Sequence, residues 1–356
     1  MTTVKEIFQT YAPEYIQRFG DDMPGKHQKV IEAIINCRTE YCGAAIYKCE
    51  KCGQNHLVYR SCGNRHCPNC QHHKTSQQLP GHHFMITFTV PQQLRRFIRS
   101  NQRVCYSAMF AASSQTLKKL ARDEKYIGED LPGFFGVLHT WGRQMPYHPH
   151  IHYVVPGGAL SKKDSRWHPS RIDFFLPIKA MSKIFKAKFR DEMRKSELDS
   201  QIPSEVWNQA WIVNCQAVGN SENSFKYLAP YVFKVAISNS RIVKVQDRKV
   251  FFKYKKPRSN RWRTMALDVM EFLRRFLQHV LPTGFMKIRY YGFMSPGSSV
   301  SLGKIATLIE LAFGFEIETP KTEIEPFKPP TCANCGGNLK YIASVLPFNF
   351  ILSGAG

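Results

Sequence analysis

The stretch CEKCGQNHLVYRSCGNRHCPNCQHH, beginning at Cys49, constrains this chain more than any other part of it. Seven of the eleven cysteines lie between residues 37 and 70, and four of them form two Cys-x2-Cys knuckles, Cys49/Cys52 and Cys67/Cys70. A knuckle aims two thiolates at one point, and two knuckles at this separation suit one tetrahedral zinc in a ribbon-like module. Free thiols packed into a core are the bland alternative, and this spacing disfavours them. The segment is short of apolar residues, so bound zinc has to supply much of its folding free energy. Cys37, Cys42, His56, Cys62 and His66 lie close by in sequence. A second zinc, with Cys37 and Cys62 among its ligands, and simple packing both account for them.

Thiols clustered for a metal imply a reducing compartment. The N-terminus, MTTVKEIFQTYAPEYIQRFG, lacks the order of regions that marks a secretory signal, and no apolar run of about 18 residues is present. A cytoplasmic protein without a membrane partner is the expectation. The formal net charge is +23, from 50 Lys and Arg against 27 Asp and Glu. The basic residues are spread along the chain rather than gathered in a tail, so a folded surface that meets a polyanion is expected. Charge alone does not choose between DNA and RNA.

Beyond the cysteines the pattern is mixed. HHFMITFTVP, FFGVLHTWG, the stretch after Tyr147, WIVNCQAVG and MKIRYYGFM read as strands, while residues 92–125, 178–196 and 265–280 read as helices. RIVKVQDRKVFFKYKK reads as a hairpin turning at Gln246-Asp247. The fold class is α+β, an antiparallel sheet with packed helices preceded by a small cysteine-rich zinc module. Residues 1–80 form the helical start and zinc module, 81–300 the main body, and 301–356 a tail whose Cys332/Cys335 knuckle has no visible partner pair.

Three groups of residues carry chemistry. In YHPHIHYVVPGG, His148, His150 and His152 alternate along a strand, so their rings share one face while Ile151, Tyr153 and Val155 share the other. Imidazoles two apart can hold a divalent ion with positions left open for substrate oxygens; a solvated strand face gives the same pattern. Tyr227 and Tyr231 stand four apart in YLAPY, on one face of a helix, either as an aromatic core stripe or as a pair of phenol nucleophiles. Lys234 follows three residues later. In the hairpin, Phe251, Phe252 and Tyr254 stand among Lys253, Lys255 and Lys256, which suits stacking on unpaired bases and suits a half-buried hairpin equally.

These blocks together resemble the HUH-superfamily transposases of bacterial insertion sequences, the rolling-circle type named after insertion sequence ninety-one. The resemblance is carried by CEKCG…SCGNRHCPNCQ, by GVLHTWGRQMPYHPHIHYVVPGG and by YLAPYVFKVAISNSRI, with His150-Ile151-His152 as the HUH motif itself. It implies an HUH nuclease-like body at 81–300. It further implies Mg2+ or Mn2+ on His150 and His152 with a third ligand, for which His148, Glu222 and Asn223 are candidates. Tyr227 or Tyr231 would attack single-stranded DNA to form a 5′-phosphotyrosine link, with Lys234 placed to assist. An HUH replication initiator and an inactive DNA-binding zinc protein are the alternatives.

Overall fold

The computed structural model describes residues 2–70, 79–129, 131–220, 235–256, 259, 261–313 and 331–347. The chain forms two compact units and passes between them more than once. One unit comprises residues 1–74, 235–280 and 318–356; the other comprises 75–234 and 281–317. The three consecutive stretches expected from the sequence are therefore replaced by two interleaved units. Residues 235–280 and the segment around Cys332/Cys335 both join the cysteine-rich module. Strand pairing, which depends on edge hydrogen bonds and not on nearness along the chain, brings in the Cys332/Cys335 segment, and side-chain packing of Phe276 on Phe8 brings in 235–280.

In the first unit, β1 (Ala44–Cys49) lies between β2 (Asn55–Tyr59) and β13 (Leu339–Val345), both antiparallel to it, with Cys49 opposite Leu339. The helix Val4–Phe19 starts on a capping box, in which Thr3 accepts from the Glu6 N–H and the Glu6 carboxylate accepts from the Thr3 N–H. A second three-stranded sheet is made of β9 (Ile242–Gln246), β10 (Lys249–Lys255) and β11 (Trp262–Asp268), with β10 in the middle. The hairpin expected here is present, but it turns on Asp247 and Arg248, both with positive φ, as a two-residue type I′ loop requires.

One expected helix is shorter than its sequence pattern. Residues 262–268 extend as β11 to complete this sheet, and helix begins only at Val269, where Asp268 accepts from the N–H groups of Met270 and Glu271. Asp is a strong N-cap, so the helix Val269–Leu277 starts at its cap rather than four residues earlier. Phe272 of this helix packs on Phe252, and Phe276 meets Phe8 edge to face with centroids 5.1 Å apart.

The second unit is built on a five-stranded antiparallel sheet. Its strands are β3 (His82–Thr89), β4 (Phe134–Trp141), β5 (Tyr147–Pro156), β8 (Ile212–Asn220) and β12 (Ile288–Tyr291), in the order β12-β4-β5-β3-β8. A short ribbon, β6 (Gly158–Leu160) with β7 (Trp167–Pro169), follows β5. One face of the large sheet carries Phe84, Ile86 and Phe88 of β3 with Ile151, Tyr153 and Val155 of β5, all buried. The helices Gln102–Ala121 and Ile178–Lys195 join this core through Tyr106 and Phe110 and through Met181, Phe185, Phe189 and Met193. The last four residues recur at helical spacing, and half of the other residues of that helix are Lys or Arg. The opposite sheet face holds Met85, Val137 and Val154 in a smaller cluster, and beside them the histidines.

Register makes one glycine necessary. Gly136 of β4 sits opposite Tyr153, and a Cβ there would lie 2.4 Å from the tyrosine ring. The ring crosses β4 at that point, and its hydroxyl bonds Ser113 in the helix above at 2.7 Å. Gly136→Ala is expected to destabilise the protein by about 1–3 kcal/mol through overpacking, measurable as a lowered Tm; an unchanged Tm would show that the ring yields at no cost. Among the described residues no helix is long and apolar enough to cross a membrane.

Candidate functional site

Three clusters of metal-binding side chains come together among the described residues: Cys37, Cys62, Cys67 and Cys70; Cys49, Cys52, Cys332 and Cys335; and His139, His150 and His152. Within each, the donor atoms lie within 4.8 Å of one another.

Both thiolate clusters have the dimensions of zinc sites. A tetrahedron with Zn–S bonds of ~2.3 Å has S···S edges of about 3.8 Å. The Sγ–Sγ separations are 3.6 Å for Cys37/Cys70, 3.5 Å for Cys62/Cys70, 3.4 Å for Cys49/Cys335 and 3.8 Å for Cys52/Cys332. All are too long for disulfides, and every cysteine is a free thiol. The Cys62 thiol is drawn down to about 5, chiefly by the hydrogen bond from Cys67. Cys49 is drawn down to about 6, chiefly by the backbone N–H of Cys52. Four sulfur donors in each cluster, with one of the four favoured as thiolate, suit zinc.

The partition of ligands differs from the one expected. Cys49 and Cys52 do not share a site with Cys67 and Cys70. The second knuckle instead joins Cys37 and Cys62, and the first joins the C-terminal pair Cys332/Cys335. Pairing of β13 with β1 performs this exchange, because it lays the distant knuckle beside Cys49. Cys42 is outside both clusters, its thiol directed to the Asn36 carbonyl at 3.1 Å. His56 approaches Cys332 Sγ through Nε2 at 3.1 Å, as a neighbour of the second cluster. A sequence signal for the pairing exists. CEKCG and CANCG share a glycine after the second cysteine, and both glycines, Gly53 and Gly336, take positive φ and donate to the carbonyl of the first cysteine at 2.9 Å. CPNCQ lacks that glycine.

The histidine cluster lies on the sheet face opposite the one that packs on the helices Gln102–Ala121 and Ile178–Lys195. His150 and His152 come from β5, as alternation requires, and His139 of β4 stands directly opposite His150 in the register. Ring centroids are 5.5 Å apart for His139/His150, 4.9 Å for His139/His152 and 4.7 Å for His150/His152. The outer nitrogens are held from behind. His150 Nδ1 lies 2.7 Å from the His148 carbonyl, so it donates there and leaves Nε2 to face the cluster. His152 Nδ1 meets the Thr87 hydroxyl at 2.9 Å. Trp141 stacks on His139 at 4.7 Å.

His139 is the member of the cluster that sequence reading missed, since cross-strand neighbours carry no fixed spacing along a chain. His148, a candidate for that place, is not in the cluster. Its Nδ1 takes a hydrogen bond from the Arg95 guanidinium, and burial together with that cation pulls it down to about 4. Glu222 and Asn223, the other candidates, lie outside the described residues, as do Tyr227, Tyr231 and Lys234.

The hairpin residues divide between two environments. Lys253, Lys255 and Lys256 are exposed. Phe252 is fully buried against Phe272, so it is a core residue and unavailable for stacking. Alternation along β10 puts it on the face opposite Lys253 and Lys255.

Two family models match the chain: one described as "Putative transposase" over residues 133–301, and "Transposase zinc-binding domain" over residues 7–90. Among similar proteins, "Putative transposase y4qJ" of Sinorhizobium fredii is 32% identical over 351 residues, covering 91% of this chain and 87% of that protein. The "Transposase for insertion sequence element IS801" of Pseudomonas savastanoi pv. phaseolicola is 24% identical over 352 residues, covering 89% of this chain and 83% of that protein. No solved structure matches. The chain belongs to the transposases of the insertion sequence ninety-one and IS801 type. It is thus a DNA transposase, an enzyme that cuts and transfers DNA, and its cysteine-rich module is a zinc-binding one.

Proposed function

We propose that this transposase nicks and rejoins single-stranded DNA through a 5′-phosphotyrosine intermediate and so drives rolling-circle transposition. The observation that supports this reading most is the convergence of His139, His150 and His152 on one sheet face, backed by the His148 carbonyl and the Thr87 hydroxyl. Three converging imidazoles fit a divalent cation, Mg2+ or Mn2+. Such an ion, when bound, would polarise the scissile phosphate. The chain's own work is then to fix the ligand rings, and to present a nucleophile.

Tyr227 and Tyr231 are the proposed nucleophiles. The tyrosine oxygen forms a bond to phosphorus as the bond from phosphorus to the leaving 3′-oxygen breaks, and the proton given up by the phenol ends on that oxygen, which departs as a 3′-hydroxyl. One phosphodiester replaces another, so a second transesterification can rejoin strands without a nucleotide cofactor. Two tyrosines permit two such links in succession. Lys234 is proposed to stabilise the phenolate, since an ammonium nearby lowers the cost of the charge.

The test is a cleavage assay on single-stranded oligonucleotides carrying element-end sequence, with and without Mn2+, resolved under denaturing conditions. A covalent protein–DNA adduct is expected with metal only. Tyr227→Phe combined with Tyr231→Phe is expected to give none. An adduct that persists in the double variant would place the nucleophile elsewhere.

A further inference from the structure

The sheet of β9, β10 and β11 has one face in the core and one outside. Val250 and Phe252 are fully buried, with Phe252 against Phe272 of the helix Val269–Leu277. Lys249, Phe251, Lys253 and Lys255 alternate with them and point the other way. Register places Lys244 of β9 opposite Phe251, and Trp262 of β11 opposite Lys255. Each aromatic ring on this outer face therefore meets a lysine: Lys244 Nζ stands 5.1 Å from the Phe251 centroid and Lys255 Nζ 5.4 Å from that of Trp262. Trp262 is 54% exposed, an unusual place to leave the largest apolar side chain. The one carboxylate at these face positions, Asp268, is engaged in capping the helix that follows.

We propose that this outer face is a stacking platform for single-stranded DNA, with bases laid on Trp262 and Phe251 and phosphates met by Lys244, Lys253 and Lys255. The inference rests on the reading of single strands as the substrate and assigns them a surface in the first unit, whereas the histidine cluster belongs to the second. The chemistry selects the partner. Lysines alone would serve any polyanion, but a duplex hides its base faces, whereas an unpaired base offers one to each ring. The rings lie about 14 Å apart by strand geometry, four residues along and one strand across, so they take bases that are not neighbours. Stacking tolerates every base, so the face would grip a strand whatever its sequence.

The experiment is binding of labelled oligo-dT to the zinc-loaded full chain, followed by fluorescence anisotropy, with a duplex of equal length in parallel. Trp262→Ala and Phe251→Ala are each expected to weaken single-strand binding by roughly 5- to 100-fold, with duplex binding little changed. Trp262→Phe should keep most of the affinity while losing the tryptophan quenching that the oligonucleotide causes in the parent. Lys253→Gln with Lys255→Gln should flatten the salt dependence by about 0.7 in log–log slope for each phosphate left without its lysine. Wild-type affinity in Trp262→Ala, or quenching that persists in Trp262→Phe, would overturn the proposal while leaving the cleavage reading intact. A parent protein that binds no single strands would overturn both.

Discussion

Replacing His139 with alanine should cripple strand cleavage as severely as replacing His150 or His152. The three rings converge on one point, so on the proposed reading removing any of them takes away one of the cation's holders. A metal that polarises a phosphate contributes several kcal/mol, so each change should lower the cleavage rate by roughly 10²- to 10⁴-fold. Zinc content and single-strand affinity should stay within a few-fold of the parent, since neither uses these rings. His148→Ala is the internal comparison: its ring engages Arg95 outside the cluster, so a loss of about tenfold or less is expected. The check is single-turnover cleavage at saturating Mn2+. A His139→Ala protein that cleaves normally would remove β4 from the metal site.

Zinc stoichiometry provides the second large effect. Elemental analysis of protein purified without chelator should find two zinc ions per chain. Replacing Cys332 and Cys335 together with serine should leave one, and Cys37→Ser with Cys62→Ser should also leave one. Structural zinc in small modules is worth about 10–16 kcal/mol, as much as the whole stability of a typical domain. The Cys332/Cys335 double variant should therefore lose the sheet of β13, β1 and β2 to limited proteolysis, while the five-stranded sheet resists. Were Cys49, Cys52, Cys67 and Cys70 to share one ion, the C-terminal serines would leave the zinc content unchanged.

The parts of this architecture that were legible in the sequence are those with a local period. The strand His82–Thr89, the histidine strand and the helix Ile178–Lys195 all announce themselves by alternation or by helical spacing. Alternation also contained an answer that a tally of basic and aromatic residues obscures: in KVFFKYK the lysines share a face with Phe251 and not with Phe252. What was not legible is everything fixed by register between strands. His139 becomes a partner of His150 only because β4 pairs with β5 at that offset. Trp262-to-Asp268 becomes a strand only because an edge of β10 awaits it, and Cys332 finds Cys52 across 280 residues for the same reason. A hydrogen-bonded edge leaves almost no trace in the composition of the segment that will occupy it.

The distance between the two halves of the second thiolate cluster sets an order of events during synthesis. Cys49 and Cys52 leave the ribosome long before Cys332 and Cys335, and at about 5–20 residues per second the interval is roughly 15–60 s. Through that time the early knuckle has only half its cluster, and before it ends every strand of the five-stranded sheet has been made. A translation product that stops between Tyr291 and Cys332 would carry the histidine cluster and lack the clasp, so an interrupted polypeptide is left with a complete five-stranded sheet and without a finished zinc module.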